Sequence, residues 1–153
     1  MQVWRICRKP HALTSLDGLG GLYTSGRWHQ KGRPMIYTAT SAALAALEVL
    51  VHVDPLTAPA DLRLLTIQIP DDLPMEVLPS AQLPPDWRAV PAPAELQSLG
   101  TSWLPSCRTA GLIVPSAVIP LEQNILLNPQ HPEAQRLRLI GEDDFCFDPR
   151  LLS

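Results

Sequence analysis

Glu48 is the only charged residue in the run Ala42-Ala43-Leu44-Ala45-Ala46-Leu47-Glu48-Val49-Leu50-Val51. A carboxylate taken out of water alone is strongly disfavoured unless it is paired or hydrogen-bonded. Such a glutamate therefore either lies on the one solvated edge of a helix or serves a pocket. Both readings are open from the spacing alone. Gly26-Arg27-Trp28 is a second candidate. Glycine lets backbone approach a ligand closely, and an arginine fork matches a phosphate or pyrophosphate; the plain alternative is a turn with a surface arginine. Tyr37 offers a flat face and a hydroxyl on a strand, although half-buried strand tyrosines are common. Ser116 follows Val114-Pro115, and an isolated serine there is usually a turn residue.

Other chemistries find less support. The sequence has no P-loop, no Gly-x-Gly-x-x-Gly fingerprint and no Gly-x-Ser-x-Gly elbow. His11, His29, His52 and His131 lack metal-ligand spacing. His52 lies four residues after Glu48, where a helix would put both on one face, but no third ligand accompanies them. No metal site is expected.

These residues need elements to hold them. The segment 3–7 reads as a strand. The segment 14–32 carries Gly18, Gly20, Gly21, Gly26 and Gly32, and reads as loop. Met35-Ile36-Tyr37-Thr38-Ala39 reads as a strand, and 41–53 as the clearest helix, capped by Thr40 or Ser41. A strand at 62–69 stops at Pro70. A proline-rich excursion with Trp87 follows over 71–93. A second helix spans 94–104, with Pro93 suited to its first turn. Short buried strands fall at 111–114 and 124–127, and 137–140 and 145–147 are expected to pair across Gly141-Glu142-Asp143-Asp144. The result is an α+β domain, with short strands in a mixed sheet and two packed helices.

Bulk properties agree with one domain over residues 1–153. A hydrophobic fraction of 46% supports a real core, and the net charge of −3 argues against a nucleic-acid-coating surface. Three cysteines without a CxxC pair argue against a disulfide framework. No signal peptide or membrane-spanning run is visible, so a cytoplasmic protein is expected. Seventeen prolines cut the chain into short elements joined by stiff turns.

Taken in order, several stretches resemble the RES domain, the toxin half of RES–Xre toxin–antitoxin pairs. They are Gly26-Arg27-Trp28, Gly32-Arg33-Pro34-Met35-Ile36-Tyr37-Thr38-Ala39, the helix that carries Glu48, Leu83-Pro84-Pro85-Asp86-Trp87, Leu99-Gly100-Thr101-Ser102-Trp103-Leu104, Val114-Pro115-Ser116-Ala117-Val118 and the block from Glu122 to Pro132. The resemblance covers nearly the whole chain. It implies an ADP-ribosyltransferase-like fold and a bacterial toxin that degrades NAD+ at the nicotinamide–ribose bond, as a glycohydrolase or phosphorylase. An ADP-ribosyltransferase acting on a protein target is the alternative. By resemblance, Glu48, Arg27 and Tyr37 take catalytic places, and Arg27, Tyr37, Ser116, Arg5 and Asn124 surround the substrate. NAD+ is the substrate, so no resident cofactor is implied. The implied partner is an Xre-type antitoxin, with no direct nucleic-acid or membrane binding, and a homodimer is left open. Two departures bear on loop geometry: His29 stands where the family commonly has asparagine, and Ser25 where glycine is frequent.

The residue types suit that chemistry. Breaking the nicotinamide–ribose bond develops an oxocarbenium-like cation, which a carboxylate such as Glu48 stabilises. Arg27 would hold the pyrophosphate, Tyr37 would line the nicotinamide, and Ser116 would position ribose or nicotinamide. Two other classes compete. An RNA-targeting toxin would need a basic face with exposed aromatics. A non-enzymatic interaction module would need none of the set Arg27, Tyr37, Glu48 and Ser116.

Overall fold

Strand β1 (Gln2–Arg8) has partners on both sides. It pairs antiparallel with β3 (Leu62–Gln68) along its whole length, and with β2 (Ile36–Ala39) through Trp4 and Ala39. Beyond β2 comes β6 (Gln123–Leu127), then β5 (Gly111–Pro115), both antiparallel; β4 (Met75–Val77) adds to β5 in parallel. At the other edge β7 (Arg138–Phe145) pairs antiparallel with β3. In the computed structural model, which describes residues 1–153, the sheet order is β4-β5-β6-β2-β1-β3-β7. Three helices accompany it: the single turn α1 (Gly20–Tyr23), α2 (Ala42–Leu50) and α3 (Ala94–Ser106). This is the α+β domain with a mixed sheet that the sequence implies. None of its helices is long and apolar enough to cross a membrane.

Strand alternation sorts the core onto two faces. Val3, Ile36, Ile67, Ile125 and Leu127 line one face, joined by Leu73, Ala110 and Leu137 from connecting segments. Leu112, Val114 and Leu126 line the other, where Leu96, Trp103 and Leu104 of α3 cover them. On that same face Leu44 and Ala45 of α2 pack on Ile6, Ala39 and Leu62. Residues 37 and 39 of β2, and 124 and 126 of β6, point to the face that carries both α2 and α3. Tyr37 and Asn124 are therefore placed by the pleat on the side where Glu48 lies.

The helix that bears Glu48 follows from its sequence. Ser41 is extended and its Oγ accepts the Leu44 N–H at 3.0 Å, so it is the cap. The helix is shorter than the expected 41–53, because Val51 closes it and His52 falls in the following turn. Two β-branched residues and Pro55 just beyond oppose its extension. The common face for Glu48 and His52 is lost with that last turn, and His52 is exposed.

Four further expectations are corrected. The glycine-rich segment is not all loop: it contains α1 and a bridge between Gly26 and His29. The second helix runs to Ser106, through Pro105 in its last turn, and Pro93 is its cap residue rather than part of its first turn. The proline-rich excursion contains β4. The expected hairpin over 137–147 is the single strand β7, with a register shift opposite Thr66 and Ile67. Pairing with β3 holds the acidic stretch extended, and Arg63 hydrogen-bonds Asp144 and forms an ion pair with Glu142.

Candidate active site

On α2 Glu48 stands one turn after the buried Leu44, so its side chain turns toward the sheet rather than to solvent. It is half-buried. Its Oε1 accepts the Ser116 hydroxyl at 2.7 Å and the Asn124 Nδ2–H at 2.5 Å. Oε2 has no protein partner. This answers the question left open by spacing: Glu48 is a held carboxylate at the sheet, not a solvated edge.

Both donors are fixed from behind. Ser116 is fully buried just past β5, and its Oγ accepts the backbone N–H groups of Val118 at 3.1 Å and Ile119 at 3.0 Å. Its one hydroxyl proton must then go to Glu48. Asn124, on β6 opposite Ala39, donates through its amide nitrogen, because a carboxylate only accepts. That fixes its Oδ1 as an acceptor, and Oδ1 is buried without a partner. A buried acceptor left unmatched is disfavoured and is open to a donor on a ligand.

Tyr37 lies across the seam. Its Oη receives the Trp28 N–H at 3.2 Å and lies 2.7 Å from His29 Nδ1. Burial pushes its hydroxyl pKa well above the ordinary range, so it stays protonated. Its carbonyl accepts Arg5 Nη1 at 3.0 Å, and Arg5 Nε is buried without a partner. Burial is also the main influence lowering the Arg5 pKa.

Arg27 is held at both ends. Its neighbours Gly26 and His29 form the bridge, and its Nη1 donates to the carbonyls of Trp87 at 2.8 Å and Ala89 at 3.1 Å. Partial burial lowers its pKa, while the charge of Glu48 and the nearby Tyr37 raise it and Arg88 lowers it. Arg88 donates through Nε to the Ala117 carbonyl at 3.0 Å. The proline-rich segment is thus a strap from Arg27 to the residue beside Ser116. Sequence reading missed both Arg88 and this strap; the prolines around Trp87 were the available signal. It weighed His29 only as a metal ligand and as a departure from the family pattern, although His29 is buried against Tyr37. No group of three His, Cys, Asp or Glu side chains converges as metal ligands would.

The structure thus joins Glu48, Ser116 and Asn124 directly, places Arg27 where its charge and that of Glu48 interact, and ties Arg5 to the backbone of Tyr37 rather than to the carboxylate. An α+β domain that holds one carboxylate between two neutral donors, near an arginine, has a fixed negative charge that can stabilise a cation beside it. Comparison with known proteins gives this class its family. The RES domain model matches residues 2–148. The Toxin Res of Pseudomonas putida is 47% identical over 99% of both chains. The Prs ADP-ribosylating toxin of a Sphingobium species is 37% identical over 97% of this chain and 95% of its own. The M. tuberculosis MbcT–MbcA toxin–antitoxin complex contains a similar fold, with a TM-score of 0.75 at 22% identity, covering 99% of this chain and 86% of that one. The chain belongs to the RES family, and it is a toxin of that family.

Proposed function

We propose that this toxin consumes NAD+ by cleaving its nicotinamide–ribose bond. The observation that carries the reading is the Glu48 carboxylate, held through one oxygen by Ser116 and Asn124 with the other oxygen free. As nicotinamide leaves, positive charge grows on the ribose, and a fixed carboxylate stabilises it without reorganising. Ser116 acts through Glu48, since its proton and lone pairs are already engaged. Asn124 Oδ1 is suited to accept from a ribose hydroxyl or the nicotinamide amide. Arg27 and Arg5 supply positive charge for the pyrophosphate, and Tyr37 lines the nicotinamide.

The acceptor of the ADP-ribosyl group defines the reaction. Water gives a glycohydrolase, phosphate a phosphorylase, and a protein side chain a transferase. The name of the Sphingobium relative favours the transferase as the second reading. The deciding experiment incubates pure protein with NAD+, with and without phosphate, and weighs the products and the protein by mass spectrometry. Nicotinamide release is expected in both arms; NAD+ left intact would overturn the reading. Turnover should also survive a chelator, because Glu48, Arg27 and Tyr37 carry the chemistry. Activity lost to chelator and restored by zinc would contradict this.

Arg27→Lys keeps one charge but loses the planar fork. Affinity for NAD+ should fall roughly 10-fold, the scale of one charge-assisted hydrogen bond. The melting temperature should change little. Unchanged affinity in a calorimetric titration would remove Arg27 from the pyrophosphate site.

A toxin that drains NAD+ needs restraint, so a cognate antitoxin of the Xre type belongs to this reading. The structural neighbour is itself a toxin–antitoxin complex. The cytoplasm is the fitting compartment, in line with three free cysteines.

A further inference from the structure

His29 and Tyr37 form a closed pair behind Arg27. His29 is 3% exposed, and the two rings lie 5.5 Å apart, tilted by 54°. His29 Nε2 is 2.9 Å from the Thr24 carbonyl, and Nδ1 is 2.7 Å from Tyr37 Oη. A carbonyl only accepts, so Nε2 carries the proton. In the neutral imidazole Nδ1 is then bare and accepts the Tyr37 hydroxyl proton, while Tyr37 Oη receives the Trp28 N–H. In that form each polar atom is used.

The space around the pair is closed as well. A Cβ at Gly26 would lie 2.5 Å from Tyr37 Oη and 3.0 Å from His29 Cε1 and Nδ1. A Cβ at Gly21 would lie 3.1 Å from His29 Nε2. Gly26 N–H donates to the His29 carbonyl at 3.1 Å, and Gln97 of α3 holds the Gly26 carbonyl at 3.0 Å. The loop that presents Arg27 and the strand that presents Tyr37 are therefore joined through one histidine.

We propose that His29 is the positioning residue for Tyr37, and that loss of its neutral form gives the reaction an acid limb. The proposal rests on the NAD+ reading of the site. Protonation would put a second donor, Nδ1–H, against an oxygen that already receives Trp28 N–H, and would leave the Tyr37 proton without its acceptor. Burial opposes an imidazolium and outweighs the backbone of Thr24 and Gly21, which favours one; Gln97 is neutral. The charges acting on Tyr37 are the cations Arg27 and Arg5, while Glu48 acts on Arg27. Burial depresses the His29 pKa, which agrees with the geometry.

Linkage gives a second readout. Above about pH 6.5 both folded and unfolded His29 are neutral, and its contribution to stability is complete. Below that value the unfolded chain binds a proton first. Stability then falls with pH until the folded residue also titrates.

The test uses three variants and the free protein. In His29→Asn, the side-chain oxygen replaces Nδ1 as an acceptor and does not titrate. His29→Phe keeps a ring and removes the acceptor, and Tyr37→Phe removes the hydroxyl. Nitrogen-15 NMR of the free protein should show the Nε2–H form with a depressed titration, and Tyr37→Phe should change it. His29→Phe should lower kcat at least 10-fold with a smaller change in KM. His29→Asn should restore most of the turnover, with its acid limb lost and a melting temperature less sensitive to pH between 7.5 and 5.5 (approximately the window in which histidine titrates). A Nδ1–H form, or a titration at the ordinary value, would overturn the clasp whether or not NAD+ is consumed. Full kcat in His29→Phe with an unchanged acid limb would overturn its role in the reaction. If the wild type released no nicotinamide, the NAD+ reading would fall, and NMR would still decide the clasp.

Discussion

Glu48→Gln should lower nicotinamide release about 100-fold or more while leaving the fold intact, the scale expected for removing one preorganised electrostatic stabiliser. The substitution is unusually clean here. The glutamine carbonyl can occupy the Oε1 position and accept from both Ser116 and Asn124, so neither donor is orphaned. Its amide nitrogen takes the Oε2 position, which has no protein partner to lose. Only the charge goes. Glu48→Ala separates the two effects. It leaves the buried Ser116 hydroxyl and the Asn124 amide without their acceptor, at about 1–3 kcal/mol for a buried group left unmatched. Its melting temperature should therefore drop as well as its rate. Near-normal turnover in Glu48→Gln, measured by nicotinamide release alongside a thermal melt, would show that the negative charge is not used.

This contrast also marks what was legible in the sequence. A lone glutamate in an apolar helix announces itself, because its burial needs a physical reason. The helix around it is local too, with a capping serine, apolar periodicity and a proline beyond its end. Ser116 and Asn124 give no such signal. Their meaning arises only when β5, β6 and β2 lie side by side and the pleat turns them toward α2; only the family resemblance named them. β4 was missed because the alternation of Met75-Glu76-Val77 lasts only three residues and sits among prolines. Its strand character comes from pairing with Gly111–Ile113, far along the chain. β7 was split because Gly141-Glu142-Asp143-Asp144 has turn composition, whereas Arg63 on the neighbouring strand makes those acids favourable in an extended one. The His29 clasp needed both the loop and β2 in place. The strap needed Arg27 to find two carbonyls about 60 residues away.

Gly100→Ala should be among the most damaging single-methyl changes in this chain, and it should reach the active site from the far side of α3. In an isolated helix the change would help by about 1 kcal/mol. Here Gly100 is buried against the loop, and a Cβ would stand 1.6 Å from the Trp28 carbonyl oxygen and 2.8 Å from its carbon. The obstacle is backbone, so no rotamer relieves it. Either α3 moves away from Leu112, Val114 and Leu126, or the loop moves away from Met35. Overpacking a core usually costs about 1–3 kcal/mol, and a clash this deep belongs at or above the top of that range. For a chain of this size that is roughly 6–12 °C in melting temperature. The loop pressed by that methyl carries Arg27 and His29 on either side of Trp28, so NAD+ affinity and kcat should fall with stability. Gly20→Ala is the control: nothing lies within 4 Å of its Cβ position, and α1 should tolerate the methyl with little change in melting or turnover. If Gly100→Ala melts like the wild type and keeps its turnover, the contact between α3 and Trp28 does not position the loop, and Arg27 must be held by the Trp87 and Ala89 carbonyls alone.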